Sequence, residues 1–337
     1  MLTTLEAVTL GAATFLLSLL VTYAVKKLAR LDQPNHRSSH HTPTPTGGGL
    51  GIVLAFLCTL LYIGASQYSA VYALCAAGIT LLAFVSWLDD QTPLSAQTRL
   101  LVQAIAASST LPLLYELGVN HWWWPCVVLA MMWLINLYNF MDGTDGLAAA
   151  QALVFCLGAL LVLPSPSLPL QLLLIAGCAA TSGFLVFNWP PARIFMGDVG
   201  STVIGLVFGI ILILIAENIT TLIGGLILLA GFITDASYTL FVRFITGQRI
   251  SQAHRTHYYQ KMAFSKGTHY APLLSYLIIG ALVQWPLAFL AMRAESQIWI
   301  LYLAGAITVH GLFCVIYKAG CPDDCANPTI RVGTGIQ

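Results

Sequence analysis

Most side chains able to do chemistry fall into five short clusters. Asp89 and Asp90 are adjacent in WLDDQTPLSAQTR, and NLYNFMDGTDGLA carries Asn136, Asn139, Asp142 and Asp145 among glycines. Asp198 lies between Gly197 and Gly200 in FNWPPARIFMGDVGS, shortly after Phe195. The first cluster along the chain, NHRSSHHTPTPTGGG, places His36, Arg37, His40 and His41 before a glycine run. The last, within 243–271, holds Arg243, Arg249, His254, Arg255, His257, Lys261, Lys266 and His269.

Each pattern suggests a chemistry and has a plainer alternative. Adjacent carboxylates repel one another, and a cation or a raised pKa relieves them; solvated charges at a helix end would also suffice. Asp142 and Asp145 suit metal or hydroxyl ligands, although the loop is too short for an EF-hand and lacks its distal Glu. Asp145 would equally cap the helix that follows. An acid opening a helix, as Asp198 would, either caps it or sits beside Mg²⁺ and a diphosphate. Phe195 suits stacking on a base or packing at a membrane interface. His40 and its neighbours offer donors to phosphate, with three glycines letting backbone approach a ligand, or form a polar turn. His254 and His257 would share a helix face. Their cluster, richer in Arg and Lys than in acids, favours phosphate over metal, or simply sets topology.

These clusters need elements to carry them, and composition says which. Of 337 residues, 58% are hydrophobic and 8% charged, with a mean hydropathy of +0.82. So few charges cannot clothe a soluble fold, whose charged share is about 25%. The formal charge of +1 points to no nucleic acid or other polyanion. A β-barrel would alternate apolar and polar residues, and these runs do not. The expectation is an all-α, polytopic transmembrane bundle forming one domain over 1–320, followed by a short tail, 321–337.

A span takes roughly 20 apolar residues. Eleven are expected, near 8–27, 47–65, 69–87, 100–117, 122–138, 147–163, 168–187, 200–216, 220–242, 272–291 and 297–317. The first has Lys26 and Lys27 after it and no basic stretch before it, so it reads as a retained span rather than a cleaved leader. With eleven spans, all 14 Lys and Arg residues except Arg293 fall on one side. The positive-inside rule makes that side cytoplasmic, with the N-terminus outside and the C-terminus cytoplasmic. Trp122, Trp123 and Trp124 read as an interfacial anchor on the outer side. All five clusters fall in cytoplasmic loops, over 28–47, 88–99, 139–147, 188–200 and 243–271. Of the eight cysteines, only Cys321 and Cys325 share the polar tail; that pair alone is a weak sign of a metal site or disulfide.

Carboxylates for a divalent cation thus meet imidazole and cationic donors for phosphate at one membrane face. That combination fits phosphoryl-group transfer between a soluble donor and a lipid acceptor, where positioning and charge neutralisation do most of the catalysis. A transporter or flippase of a lipid-linked sugar would instead place charges within the spans, where Asp235 is the main exception, open between a buried hydrogen-bonded structural acid and a lining of the lipid groove. The spaced-aspartate signature of CDP-alcohol phosphotransferases is absent.

Over residues 1–317 the chain resembles the polyprenyl-phosphate N-acetylhexosamine-1-phosphate transferases, which include the lipid I translocase and the initiators of O-antigen synthesis. The resemblance rests on DD at 89–90 with Leu94, Ser95 and Arg99 following, NxxNFMDGxDGLA at 136–148, FMGDxGS at 195–201 and HRTHYYQ at 254–260. It implies a bacterial inner-membrane enzyme that moves an N-acetylhexosamine-1-phosphate from a UDP-N-acetyl amino sugar to undecaprenyl phosphate and releases UMP. It makes Asp198 the principal Mg²⁺ ligand, with Asn139 assisting and Mn²⁺ as a substitute. Asp89 and Asp90 match the essential pair, a base on the lipid phosphate or a nucleophile; direct attack by the lipid phosphate, helped by Asp89, is favoured. Asp142 and Asp145 would contact the nucleotide, Phe195 would stack on uracil, and His40 would contact substrate from the first loop. His254, Arg255 and His257 would lie near the diphosphate or sugar. A homodimer is left open. His-Arg-Thr-His replaces a run of histidines and DDQTPLS replaces DDxxK; both point away from a muramoyl-pentapeptide substrate and toward O-antigen-type initiation. Thr46 stands where many relatives have Arg.

Overall fold

The structure is a computed structural model that describes residues 3–29, 31–32, 43–249, 252 and 254–322. His36, Arg37, His40, His41 and Cys325 lie outside the described residues, and so does the expectation placed on His40. The described chain is almost wholly helical. In order it comprises α1 (Thr4–Leu28), β1 (Leu31–Asp32), β2 (Thr44–Pro45), α2 (Leu50–Gln67), α3 (Ala70–Gln91), α4 (Ala96–Ser108), α5 (Leu111–Glu116) and α6 (Trp124–Phe140). Then come α7 (Leu147–Val162), α8 (Leu168–Asn188), α9 (Asp198–Ile215), α10 (Ile219–Leu228) and α11 (Ala230–Ile245). The last are α12 (Tyr258–Lys266), α13 (Tyr270–Ile279), α14 (Trp285–Met292) and α15 (Trp299–Ile316). The two short strands pair antiparallel, Leu31 opposite Pro45.

The core is organised around α9, 94% buried across its apolar window, whereas α1 and α15 are only 17% buried. Apolar side chains gain nothing by leaving lipid for protein, so close packing must hold the helices together, and small residues permit it. Gly205 shows this: a Cβ there would lie 2.6 Å from Ile135 Cα and 2.6 Å from Leu134 O. The missing side chain lets α6 rest directly on α9. Below the acids, Ser86 and Thr202 hydroxyls join α3 to α9 at 2.9 Å.

Among the described residues, eight helices are long and apolar enough to cross a membrane, nine if α10 and α11, bent by 74° at Leu229, make one span. The protein is thus a multi-pass helical membrane protein. Two of the eleven expected segments fall short of that length. Segment 147–163 is the shorter apolar helix α7, and segment 100–117 is split into α4 and α5. The split has a local cause: Ser109 and Thr110 hydroxyls donate back to Ala106 O and Ala107 O, each at 2.7 Å, and compete with the helical ladder. Pro112 then starts a new helix. The pair still traverses the length of α3. Ala96 and Arg99 of α4 lie near its C-terminal end, while Glu116 of α5 accepts from Ser69, its N-cap, at 3.5 Å.

Candidate active site

The end of α3, the end of α6, the start of α9 and the loop before α12 enclose a cavity of about 500 Å³. Asp89, Asn139, Asp142 and Asp198 line it together with His254 and His257. Leu82, Val85, Leu100 and Val102 supply apolar lining, and Arg99 is the only Lys or Arg among the lining residues. Four clusters scattered from residue 89 to residue 257 therefore meet in one place.

The acids are held differently. Asp89 is tied down: its Oδ1 accepts the Leu94 N–H at 2.6 Å and its Oδ2 faces Arg99 at 3.5 Å. Asp90 turns to the start of α9, where its Oδ1 accepts the Asp198 N–H at 3.3 Å, as an anion does at a helix N-terminus. Asp198 accepts from Asn139 Nδ2 at 2.8 Å, and that nitrogen also reaches Ser201 Oγ at 3.1 Å. Asn139 therefore presents its amide donor, not its oxygen, to Asp198. The Asp142 carboxyl has no hydrogen bond or ion pair among the described residues. Burial first, and then the charges of Asp198, Asp90 and Asp145, push its pKa well above the usual carboxylate range.

A glycine-to-glycine contact places Asp198. Gly48 and Gly49 N–H groups donate to Phe195 O and Met196 O, both at 2.9 Å, and Phe195 N–H donates to Pro45 O at 2.8 Å. The loop comes so close that a Cβ on Gly49 would strike Gly200 Cα. The glycine run thus approaches backbone. Gly197 adopts φ +76°, and a Cβ there would lie 3.0 Å from both Asp90 Oδ2 and Gly47 N. Only glycine fits that turn without strain.

The histidines are set from behind. His257 is 2% exposed, and its Nδ1 lies 3.3 Å from Oδ1 of the fully buried Asp235. His254 lies 5.0 Å from the His257 ring and shares a hydrogen bond with Thr256 Oγ1 at 3.0 Å. Burial, then neighbouring His257 and Arg243, push the His254 pKa down to about 3 against an upward pull from Asp235, so this ring is neutral. The Tyr259 hydroxyl donates to Phe140 O at 2.9 Å and ties α12 to α6.

Asp145, Phe195 and Arg255 lie outside the lining, whereas Asn136 belongs to it. Asp145 pairs with His269 at 3.1 Å and accepts the Ala192 N–H at 3.0 Å. Asn136 exchanges two amide hydrogen bonds with Gln103, at 2.6 and 3.3 Å. Phe195 is half-buried, and Arg255 is exposed. Sequence reasoning gave Arg99 no role, although its spacing after the acid pair was a signal, and left Asp235 open between a structural acid and a lipid-groove lining. Among the described residues no three His, Cys, Asp or Glu side chains are arranged to enclose a metal ion by themselves.

The model of glycosyl transferase family 4 matches residues 71–216. A probable undecaprenyl-phosphate N-acetylglucosaminyl 1-phosphate transferase of Bacillus subtilis (strain 168) is 30% identical over 286 residues, 77% of this chain and 78% of the relative. The chain belongs to glycosyl transferase family 4. A phospho-N-acetylmuramoyl-pentapeptide-transferase of Chlamydia trachomatis serovar L2 is 32% identical over 220 residues, 55% of this chain and 65% of the relative. An undecaprenyl-phosphate alpha-N-acetylglucosaminyl 1-phosphate transferase of Yersinia pestis is 31% identical over 217 residues, 57% of this chain and 58% of the relative. The glycosyl transferase family 4 match contains every acid that lines the cavity and stops before Asp235 and the histidines.

Proposed function

We propose that the protein transfers an N-acetylhexosamine-1-phosphate from a UDP-sugar to undecaprenyl phosphate and releases UMP. The observation that carries this reading is the single cavity lined by Asp89, Asn139, Asp142, Asp198, His254 and His257. Its volume of about 500 Å³ is in the ordinary range for small-molecule sites. The relatives' names supply the substrate class: two act on undecaprenyl phosphate.

The donor set suits Mg²⁺. A hard cation takes oxygen ligands, and Mg²⁺ is commonly held by one or two carboxylates plus substrate phosphates rather than by a full protein cage. Asp198 and Asp142 would hold it, with Asp90 adjoining. Asn139 would orient Asp198 through its amide donor. Bound there, the cation supplies neutralisation of diphosphate charge. The protein's own groups do the rest. Arg99 offers the guanidinium that suits phosphate, and Asp89 fixes Arg99 and the turn at Leu94. The apolar lining from α3 and α4 beside them is where a lipid headgroup would enter from the bilayer. The acceptor phosphate attacks the sugar-bearing phosphorus, the bond to the bridging oxygen breaks, and UMP leaves. One diphosphate linkage replaces another, so the equilibrium lies near unity and excess UMP drives it backwards.

The traverse made by α4 with α5, and the apolar length of α7, support eleven crossings, with the N-terminus outside and the cavity at the cytoplasmic face of a bacterial inner membrane. The departures at 254–257 and 91–95 favour a lipid-linked surface polysaccharide over lipid I as the product. A flippase is disfavoured because the cavity acids sit at helix ends rather than along a path through the bundle. The test is UMP release by purified protein with undecaprenyl phosphate, Mg²⁺ and a panel of UDP-N-acetyl sugars. Release with one sugar and its loss on adding EDTA are expected; lipid-sugar transport with no UMP would reject the reading.

A further inference from the structure

Asp235 is the acid that the reaction above does not use. It belongs to α11, is fully buried and stands behind the cavity. Four donors and an imidazole nitrogen converge on it. Oδ1 accepts from Thr239 Oγ1 at 3.1 Å and from the Tyr258 N–H at 3.0 Å, and it faces His257 Nδ1 at 3.3 Å. Oδ2 accepts from the Tyr259 N–H and the Tyr276 hydroxyl, each at 3.2 Å. The two amides belong to the first turn of α12, where a negative charge is favoured. The four other contacts, two of them from backbone amides, are donors, so Asp235 acts as a carboxylate, which only accepts, and His257 Nδ1 meets it as an N–H. In the singly protonated ring the nitrogen left for the cavity is then Nε2, with its lone pair bare.

A purely structural role would explain four of these contacts, which pin α11 to α12 and α13. It does not explain the fifth, made to a ring that lines the cavity. That ring is stacked against Tyr259 at 5.7 Å and Phe140 at 6.5 Å, so its plane is fixed as well. The carboxylates near the reaction are committed. Asp89 holds Leu94 and Arg99, and Asp142 and Asp198 stand on the cation side.

We propose that Asp235 is a positioning residue: it holds His257 by Nδ1–H and leaves Nε2 as the open proton acceptor of the cavity. The proposal rests on the transferase reading. As an oxygen of a monoprotonated acceptor phosphate bonds to the sugar-bearing phosphorus, its proton passes to Nε2. The bond from that phosphorus to the bridging oxygen breaks, and Nε2 returns the proton to the departing UMP. His257 is regenerated, and Asp235 stays charged throughout and steadies the transient imidazolium.

Two measurements test this. Nitrogen-15 spectra of histidine-labelled wild-type protein in nanodiscs, with His257 assigned by its loss in His257→Gln, should show Nδ1 protonated and Nε2 bare. The opposite tautomer overturns the proposal and leaves the transferase reading intact. In UMP-release kinetics, Asp235→Asn should lower kcat by about 10–100-fold, the usual cost of losing a histidine's orienting partner, with KM for the UDP-sugar little changed. Thr239→Val, which deletes another donor to the same carboxylate, should keep kcat within about two-fold, so that the split separates positioning from packing. Equal losses in both variants, or full kcat in Asp235→Asn, would overturn the proposal. A wild type that releases no UMP overturns the transferase reading and the proton step with it, whatever tautomer the spectra report.

Discussion

Asp235 meets four donors and the His257 ring behind the cavity, whereas Asp142, three residues along the chain from Asn139, meets none among the described residues. Asp90 and Asp198 fall between, each with one oxygen on an N–H donor at 3.3 and 2.8 Å. A half-buried carboxylate without partners is costly to keep charged unless a proton or a cation neutralises it. The histidine side of the cavity is therefore complete as folded, while the acidic side is complete only with a proton or a cation. The difference separates a part built to hold still from a part built to receive charge.

The sharpest way to break this contrast is Asp198→Asn. UMP release should fall by about 10³-fold, the scale of losing a main electrostatic contact to the transition state; near-normal turnover would remove the acidic side from the chemistry. His257→Gln should cost about 10²-fold, typical of a lost acid–base group, without loss of the cation's effect on thermal stability. Gly205→Ala should lower stability by about 1–3 kcal/mol through overpacking and part Asn139 from Asp198, seen as a lower melting temperature together with weaker cation binding.

The acidic side also predicts a pH dependence. Asp142 binds its proton more tightly folded than unfolded, so the cation-free fold loses stability as pH rises from the ordinary carboxylate range through the raised one. A cation competes for the deprotonated form. Millimolar Mg²⁺ should therefore raise the melting temperature more at pH 8 than at pH 6, by an increment on the order of 1 kcal/mol. No increase with pH would mean that Asp142 does not face the ion. The smallest effect belongs to Lys261→Ala. Lys261 Nζ donates to Lys318 O at 3.0 Å and Cys321 O at 2.7 Å, and an exposed contact of this kind is worth at most about 1 kcal/mol; unfolding midpoints measure it.

Residue types and helical class were readable from the chain because each cluster is local. Asp89, Asn139, Asp142, Asp198, His254 and His257 were all picked out, since a charged or imidazole group in so apolar a sequence stands out. Pairings across the fold were not readable. Asp145 finds His269 124 residues away, Asn136 finds Gln103 across 33, and the glycine run of 47–49 serves the backbone of 195–200. Spacing says nothing about which distant group will satisfy a donor. The break between α4 and α5 was hidden for another reason: Ser109 and Thr110 are tolerated in an apolar run, and their hydroxyls' return to the backbone acts together with Pro112 to end one helix and start the next. The tie between Asp235 and His257 joined a residue judged ambiguous to one judged functional, and distance alone kept them apart.

The turn after α15 has a consequence for how the molecule is made. Gly320 N–H donates to Thr256 O at 2.8 Å, and Gln248 Nε2 reaches Gly320 O at 2.9 Å. The strut that steadies the histidine loop thus lies 60 residues downstream of Lys261, which also grips it. During synthesis the acidic groups can assemble while the loop still lacks this brace. On the transferase reading, a nascent chain paused before α15 enters the bilayer would then hold a nucleotide before it could turn one over, and a fusion that strains the turn would mimic that pause.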